Sequence, residues 1–278
     1  DWSSDVCSSD LGNLMKEKIK NFRFTRKAFA YPYMLFLLVF VVTPLVLILA
    51  NAFIYDGKFS FKNFAIFFTE KSSLVVLGNS ILVGLLTTII CIVLGYPAAY
   101  FLAKYSASKI FVLLFILPMW VNFLIRTLAT KAIFVSMNIP LRMGTVVFGM
   151  VYNYLPFMIL PLHTVLSSID KNYIEAAEDL GADKFQVFAK TILPLSVPGI
   201  LSGITMVFIP TISTFAISQL LSDSTVFLFG DSIQMKFDQG LYGVGSVMSL
   251  VMIILVLISN FLMNRFSKTS ATGGRNLW

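Results

Sequence analysis

The chain reads as an all-α membrane protein with six transmembrane helices. Five runs of 26 to 32 residues contain no Asp, Glu, Lys or Arg: Ala28–Tyr55, Ser72–Ala103, Met143–Ile169, Thr191–Ser222 and Gln239–Asn264. A sixth run, Ile110–Ile125, reaches the length of a crossing if Arg126 lies near the membrane surface. A hydrocarbon core about 30 Å thick takes about 20 apolar residues per helix, and a charged side chain at its centre costs at least about 2.5 kcal/mol. A β-barrel would instead alternate in polarity over strands of about ten residues.

Taken in order, the helices are expected at 31–54, 74–104, 109–136, 143–167, 196–221 and 240–265. The first follows basic residues, as a signal peptide would, but it is too long and lacks a small-x-small cleavage site, so it reads as a retained helix. The second closes at Lys104. In the third, Trp120 falls about ten residues, roughly 15 Å, from the start and so near mid-membrane. Arg126 lies further along, where it can snorkel to the outer headgroups. The fourth holds the only histidine, His163, expected to be packed or hydrogen-bonded; with no acid inside any span it makes a poor proton relay. The fifth carries Gly199 and Gly203, a G-x-x-x-G pair that lets two helices approach closely. The sixth closes at Arg265. Prolines recur within spans at Pro44, Pro97, Pro118, Pro156, Pro161 and Pro210, which suits a bundle lining a cavity.

Outside loops are expected near 55–73, 137–142 and 222–239, and inside loops near 105–108 and 168–195. The chain has 21 Lys and Arg against 14 Asp and Glu, a formal charge of +7. With the N-terminus inside, the cytoplasmic segments hold most of these cations, so both termini are expected in the cytoplasm. The organisation is then a cytoplasmic segment at 1–30, a first helix at 31–54, a core at 74–265 with a cytoplasmic loop at 168–195, and a tail at 266–278. Asp1–Leu11 (DWSSDVCSSDL) is polar, Ser-rich and acidic ahead of a basic stretch, the look of a non-native addition, and carries no functional reading.

Several classes fall away. Cys7 and Cys91 cannot build a disulfide framework or a zinc site. No G-x-x-x-x-G-K-[ST] loop is present, so the chain does not hydrolyse ATP by the P-loop route. No cofactor or metal is expected on this chain. No soluble domain is left to bind nucleic acid; the basic balance suits membrane lipid instead. A secondary transporter would want an inverted repeat and intramembrane carboxylates, and a membrane enzyme a His/Asp/Glu cluster; neither pattern is seen.

The loop at 168–195 is the informative polar stretch. Asn172 followed by Glu175 matches a capping box, and Gly181 suits a left-handed helix end, which predicts a short helix over Tyr173–Leu180. A second helix, Asp183–Ile192, is expected to run from an Asp cap to a stop at Pro194. Ile174, Ala177 and Leu180 then share one face, and Phe185, Phe188 and Ile192 another. Two short helices meeting at Gly181 make a knob, and the small Ala176 and Ala177 let its backbone press into a partner groove. The alternative is an amphipathic helix lying on the membrane surface.

The pattern Glu175-Ala176-Ala177, three residues, Gly181, then Leu193-Pro194 resembles the cytoplasmic loop of binding-protein-dependent ABC importer permeases. Thr191 replaces the usual Ile two residues before Leu193, with Ile192 beside it. Asn79-Ser80, the stretch Leu94-Gly95-Tyr96-Pro97-Ala98-Ala99-Tyr100, and Leu117-Pro118-Met119-Trp120-Val121-Asn122 through Arg126 are similar to the polyamine permeases. The resemblance implies a type I importer transmembrane domain in the bacterial cytoplasmic membrane, forming half of a pore for spermidine or putrescine. It also implies a homologous second permease, two ATPase subunits that bind the ATP and Mg, and an extracytoplasmic substrate-binding protein. The alternative cargo is another small solute: a metal chelate, an oxyanion or another amine. Glu175, Ala176, Ala177, Gly181, Leu193 and Pro194 are implied in coupling to the ATPase; Gly181 supplies the turn, and Glu175 either caps its helix or touches the ATPase.

A polycation wants carboxylates or aromatic faces along its path. No predicted span contains an acid, and Asp56, Glu70, Asp223, Asp231 and Asp238 fall in outside loops or at their edges. Asn79, Trp120, Asn122, Tyr154, Thr214 and Gln219 are the candidates for the substrate path, with acids expected from the sister permease and the outer rim.

Overall fold

The structure, a computed structural model, describes residues 30–105, 109–223 and 225–273. The segment expected at 1–30, Ala30 apart, lies outside the described residues, as do Cys7 and most of the inside loop near 105–108. The chain divides into two units, residues 1–50 and 51–278.

The first unit enters a helix at Ala30. Helix α1 (Ala30–Leu37) passes through a π-turn (Leu38–Val42) into α2 (Thr43–Phe53). Thr43 donates its backbone N–H to the Leu38 carbonyl, five residues back, immediately before Pro44. A proline has no N–H to donate and its ring strikes the carbonyl four residues back. The wider π-turn relieves that crowding without breaking the helix.

The second unit follows with a two-stranded hairpin (β1, Ile54–Tyr55; β2, Lys58–Phe59) and α3 (Lys62–Thr69), where the sequence predicted a loop. The Asn63 amide donates to the Ala52 and Ile54 carbonyls at 3.1 and 2.9 Å, tying α3 to the end of α2. The spans continue with α4 (Lys71–Tyr105), α5 (Lys109–Trp120), α6 (Phe123–Ser136) and α7 (Met143–Ser168). After the loop that follows α7 come α10 (Leu193–Ser213), α11 (Ala216–Leu221), α12 (Phe229–Asp238) and α13 (Tyr242–Gly273). Among the described residues, five helices are long and apolar enough to cross a membrane, and α5 with α6 make a sixth crossing if the bent pair is counted as one.

Three expected boundaries are corrected. The third span is not one helix over 109–136: α5 and α6 meet at 93° across Val121–Asn122. The fifth does not run unbroken over 196–221: its helix ends at Ser213 and resumes at Ala216. The outside loop at 222–239 contains the helix α12. Pro118 and Pro210 sit just ahead of the two breaks, where they remove hydrogen bonds from the last turns. Pro97, Pro156 and Pro161 lie within continuous helices.

The centre of the second unit is α4, α7 and α10. Met158, Ile159 and Leu162 of α7 pack with Cys91, Tyr96 and Ala99 of α4 and Val207 of α10. Ala52, Phe67, Ile212, Phe229 and Met248 form a second cluster, and Val83, Met150, Ile217 and Leu221 a third. Lipid tails are as apolar as these side chains, so close contact and hydrogen bonds, rather than transfer from water, favour helix on helix over helix on lipid. The glycine pair serves that contact: a Cβ on Gly203 would collide with the Met158 sulfur, and one on Gly199 would lie 3.0 Å from Val165. Tyr96 and Ser196 share a buried hydroxyl–hydroxyl bond of 3.0 Å between α4 and α10.

Gly203→Val is therefore expected to lower the melting temperature of the purified protein, overpacking of this kind costing about 1–3 kcal/mol. Gly144→Ala, at a site with no heavy atom within 4 Å, should leave it unchanged.

Candidate translocation cavity and coupling knob

A cavity of about 520 Å³ lies where the two helix breaks face one another. On one side α5 ends at Trp120 and α6 begins with its first N–H groups unpaired, as any helix start must. Asn122 caps them, its side-chain oxygen accepting from Leu124 N–H at 2.8 Å. On the other side α10 stops at Ser213, and Thr214 turns to extended backbone while its N–H still donates to the Pro210 carbonyl at 2.9 Å. Non-helical backbone of this kind is tolerated at membrane depth only where protein or a water-filled cavity satisfies it.

Trp120, Asn122, Arg126, Asn153, Tyr154 and Thr214 stand on the walls. The structure thus brings together four of the six residues the sequence proposed for a substrate path: Trp120, Asn122, Tyr154 and Thr214. It does not bring in Asn79, half-buried on α4, or Gln219, exposed on α11. Trp120 is 81% exposed within this chain at the corner of the break. Asn153 donates to the Gly149 carbonyl at 2.8 Å and to the Thr127 hydroxyl at 3.3 Å.

Arg126 was expected at the outer headgroups. It is instead 9% exposed, with its guanidinium carbon 5.8 Å from the centre of the Tyr152 ring. The break is the reason, because it swings α6 away from the line of α5 and packs Arg126 towards α7. An Asn in a cap-compatible position four residues after Pro118 was the available signal, and an unbroken apolar run concealed it.

Asp231 departs from expectation in the same way. Read as a loop acid, it is 1% exposed. One carboxylate oxygen accepts from the Ser218 hydroxyl at 2.6 Å and from Leu228 N–H at 2.8 Å, which braces α11 against α12. Phe229 N–H donates to the Ser80 hydroxyl at 2.6 Å, fastening α12 to α4. Burial pushes the Asp231 carboxyl up to about 6, more than its hydrogen bonds from Ser218 and Leu228 pull it down.

The loop between α7 and α10 folds into a knob. Helix α8 (Lys171–Asp179) is capped by Asp170, which accepts from Asn172 N–H at 3.0 Å, so the cap lies two residues before the one the sequence suggested. Glu175 is released from capping; exposed, it lines a 450 Å³ cavity with Glu178, Lys171 and Lys104. Gly181 turns the chain at φ +83°, a conformation in which other residues are strained. Asp183 then caps α9 (Lys184–Val187), accepting from Gln186 N–H at 2.7 Å.

Pro194 does not stop this helix. A second π-turn (Phe188–Ile192) carries it on, with Leu193 N–H donating to the Phe188 carbonyl directly before Pro194. From Lys184 to Ser213 the chain is one helical span of 30 residues. Ile174, Ala177 and Phe188 turn inward, with Phe188 edge-on to Tyr96 and Tyr100 at 5.8 and 5.6 Å. Leu180 does not join Ile174 and Ala177: it is 90% exposed, because the chain has left the helix there for the Gly181 turn. Tyr173 and Phe185 are exposed as well, and Glu175 and Ala176 lie on the same solvent side.

A multi-pass helical membrane protein with a cavity at two broken spans is the class these features define. The profile of the family described as "Binding-protein-dependent transport system inner membrane component" matches residues 91–270. The chain belongs to this family: it is a multi-pass membrane component of a transport system, and not itself an enzyme. Systems of this kind also comprise an ATPase and a substrate-binding protein. The chain is 34% identical over 227 residues to the spermidine/putrescine transport system permease protein PotB of Escherichia coli (strain K12), covering 72% of this chain and 82% of that one. It is 34% identical over 258 residues to PotB of Haemophilus influenzae, covering 84% and 90%. A chain of a bacterial alginate ABC transporter, crystallised with an alginate pentasaccharide-bound periplasmic protein, shares the fold at a TM-score of 0.68 and 14% identity over 87% of this chain and 94% of that chain.

Asp231 has a folded-state pKa near 6 against an ordinary 3.8, so between those values the folded protein holds a proton that the unfolded chain has released. Its contribution to stability is therefore full below about 4 and is lost as pH rises through about 6. Thermal unfolding of purified wild type and Asp231→Asn across that range is expected to differ in slope, with the variant lacking this component.

Proposed function

We propose that the chain is one of two permeases of an ATP-driven importer for spermidine and putrescine, forming half of the translocation pore. The observation that carries the reading is the knob between Asp170 and Ile192, exposed at Tyr173, Leu180 and Phe185 and continuous with the span that ends at the cavity. The likeness to PotB over most of the chain supports the cargo. The partners are a second permease similar to PotC, a pair of ATPases similar to PotA, and an extracytoplasmic receptor similar to PotD. ATP and its Mg belong to the ATPases.

In this reading both termini are cytoplasmic, with 1–30 and 266–278 as the flanking segments and 168–195 as the coupling loop. Glu175, Ala176 and Gly181 form the surface seated in an ATPase cleft, Ala177 backs it against the bundle, and Leu193 and Pro194 begin the shaft that carries its movement. Trp120, Asn122, Tyr154 and Thr214 line the cation's route with an aromatic face, an amide and hydroxyls, which interact weakly and let the cargo leave. The receptor supplies the affinity. One feature favours a different cargo: Arg126 on the cavity wall would suit an oxyanion.

Co-expression with the three partners and measurement of labelled spermidine and putrescine uptake into vesicles tests the reading. Uptake is expected to need ATP, and to be lost in Gly181→Leu while the ATPase still co-purifies with the permeases. Uptake of an oxyanion instead of a polyamine would retain the permease and replace the cargo.

A further inference from the structure

We infer that the Arg126 guanidinium is one half of an ion pair whose carboxylate belongs to the sister permease, so that the cavity is completed by an acidic side chain from across the pore. The inference rests on the two-permease reading above. Two guanidinium nitrogens, Nε and Nη1, are buried without a hydrogen-bond partner. Buried charges are expensive unless paired and hydrogen-bonded. Arg126 forms no salt bridge with any described residue. Three acids of the outer elements are engaged elsewhere: Asp223 pairs with Lys131 at 3.1 Å, Glu70 with Lys236 at 3.2 Å, and Asp231 takes Ser218 and Leu228.

The Tyr152 ring shields the guanidinium without neutralising it. Asn153 Oδ1, the other partnerless buried atom on this wall, can accept one donor but carries no charge. The charge has to be met from outside the chain. A polyamine cannot meet it, because it repels a guanidinium at contact distance. What remains on the pore side is the second permease, and a guanidinium takes a carboxylate in a two-bond fork of fixed geometry. The pair also explains how a cation is tolerated on a route for cations: once neutralised, Arg126 presents to the cargo the planar edge of a closed ion pair rather than a free charge.

The test uses the assembled complex, with both permeases, the ATPase and the receptor, in nanodiscs. Arg126→Lys keeps the charge and adds an amine that a membrane-permeant carbodiimide joins to any carboxylate in contact with it. The expected result is an amide between the introduced amine and an Asp or Glu of the sister permease. It would be located by peptide mass spectrometry and form several-fold above the background of Arg126→Gln. A link to the receptor, to this chain or to an added carboxylate solute would overturn the inference. So would no link at all, with the introduced amine open to a water-soluble acylating reagent. The readout needs no transport, so a complex that forms the link but takes up no spermidine would discard the polyamine and keep the ion pair.

Discussion

Within a bilayer no water is available to satisfy a broken backbone, and every interruption of a helix has to be repaired by the protein itself. The cavity of this chain exists because two spans are interrupted and both interruptions are repaired. Asn122 caps the start of α6, and the Pro210 carbonyl still receives the N–H of Thr214 after α10 has ended. Behind the second break, α11 and α12 are held by the carboxylate of Asp231 and by the hydroxyls of Ser80 and Ser218. A Cβ on Gly230 would fall 2.7 Å from the Ser213 and Thr214 carbonyls, so the smallest residue marks where α12 backs directly onto the broken end of α10. Remove these supports and the walls that carry Trp120, Tyr154 and Thr214 have no fixed relation to one another.

The same chain segment links cavity and knob. The continuous span Lys184–Ser213 is 30 residues, about 45 Å at 1.5 Å per residue, with the knob at one end and Thr214 at the other. The π-turn at Phe188–Ile192 keeps it continuous past Pro194, and Phe188 wedges against Tyr96 and Tyr100 of α4. In the proposed coupling, a displacement of the knob would pass along this span into α10. Rigid elements moving as units are how a change at one face of a transporter reaches the other. The glycines at 199 and 203 let that shaft lie close on α7, so it tilts with its neighbour rather than sliding free.

Most of the architecture was legible because the bilayer writes it plainly: a charge-free run of span length is rarely anything but a crossing, and Gly181 and Asp183 announce their turn and cap locally. What escaped reading was set by tertiary context. Asp170 and Asn172 are both competent caps two residues apart, and only the chain's path out of α7 selects Asp170. Pro194 reads as a stop because a proline ends an ordinary α-helix, whereas a π-turn cannot be seen in Phe188–Ile192. Leu180 belongs to a helical face by spacing, yet the helix ends at Asp179 and turns it outward. Arg126 and Asp231 were placed at the surface by the rule that charges avoid membrane interiors. That rule assumes straight spans and loops outside them; a span bent by 93° and a helix within a loop bury both.

The two buried charges have different remedies, and the difference bears on what the chain can do alone. Asp231 can take up a proton, and its neighbours within this chain supply hydrogen bonds, so its burial is settled internally. A guanidinium has no such escape, since it stays charged at any pH the protein meets. Arg126 is held by α6 against α7 and the Tyr152 ring, on the cavity wall rather than among the headgroups. The chain is complete around its acid and incomplete around its base, which stands on the cavity wall. The incomplete side is the one whose wall carries Trp120, largely exposed at the corner of the broken span. In the proposed two-permease assembly, that is the side that faces the sister subunit.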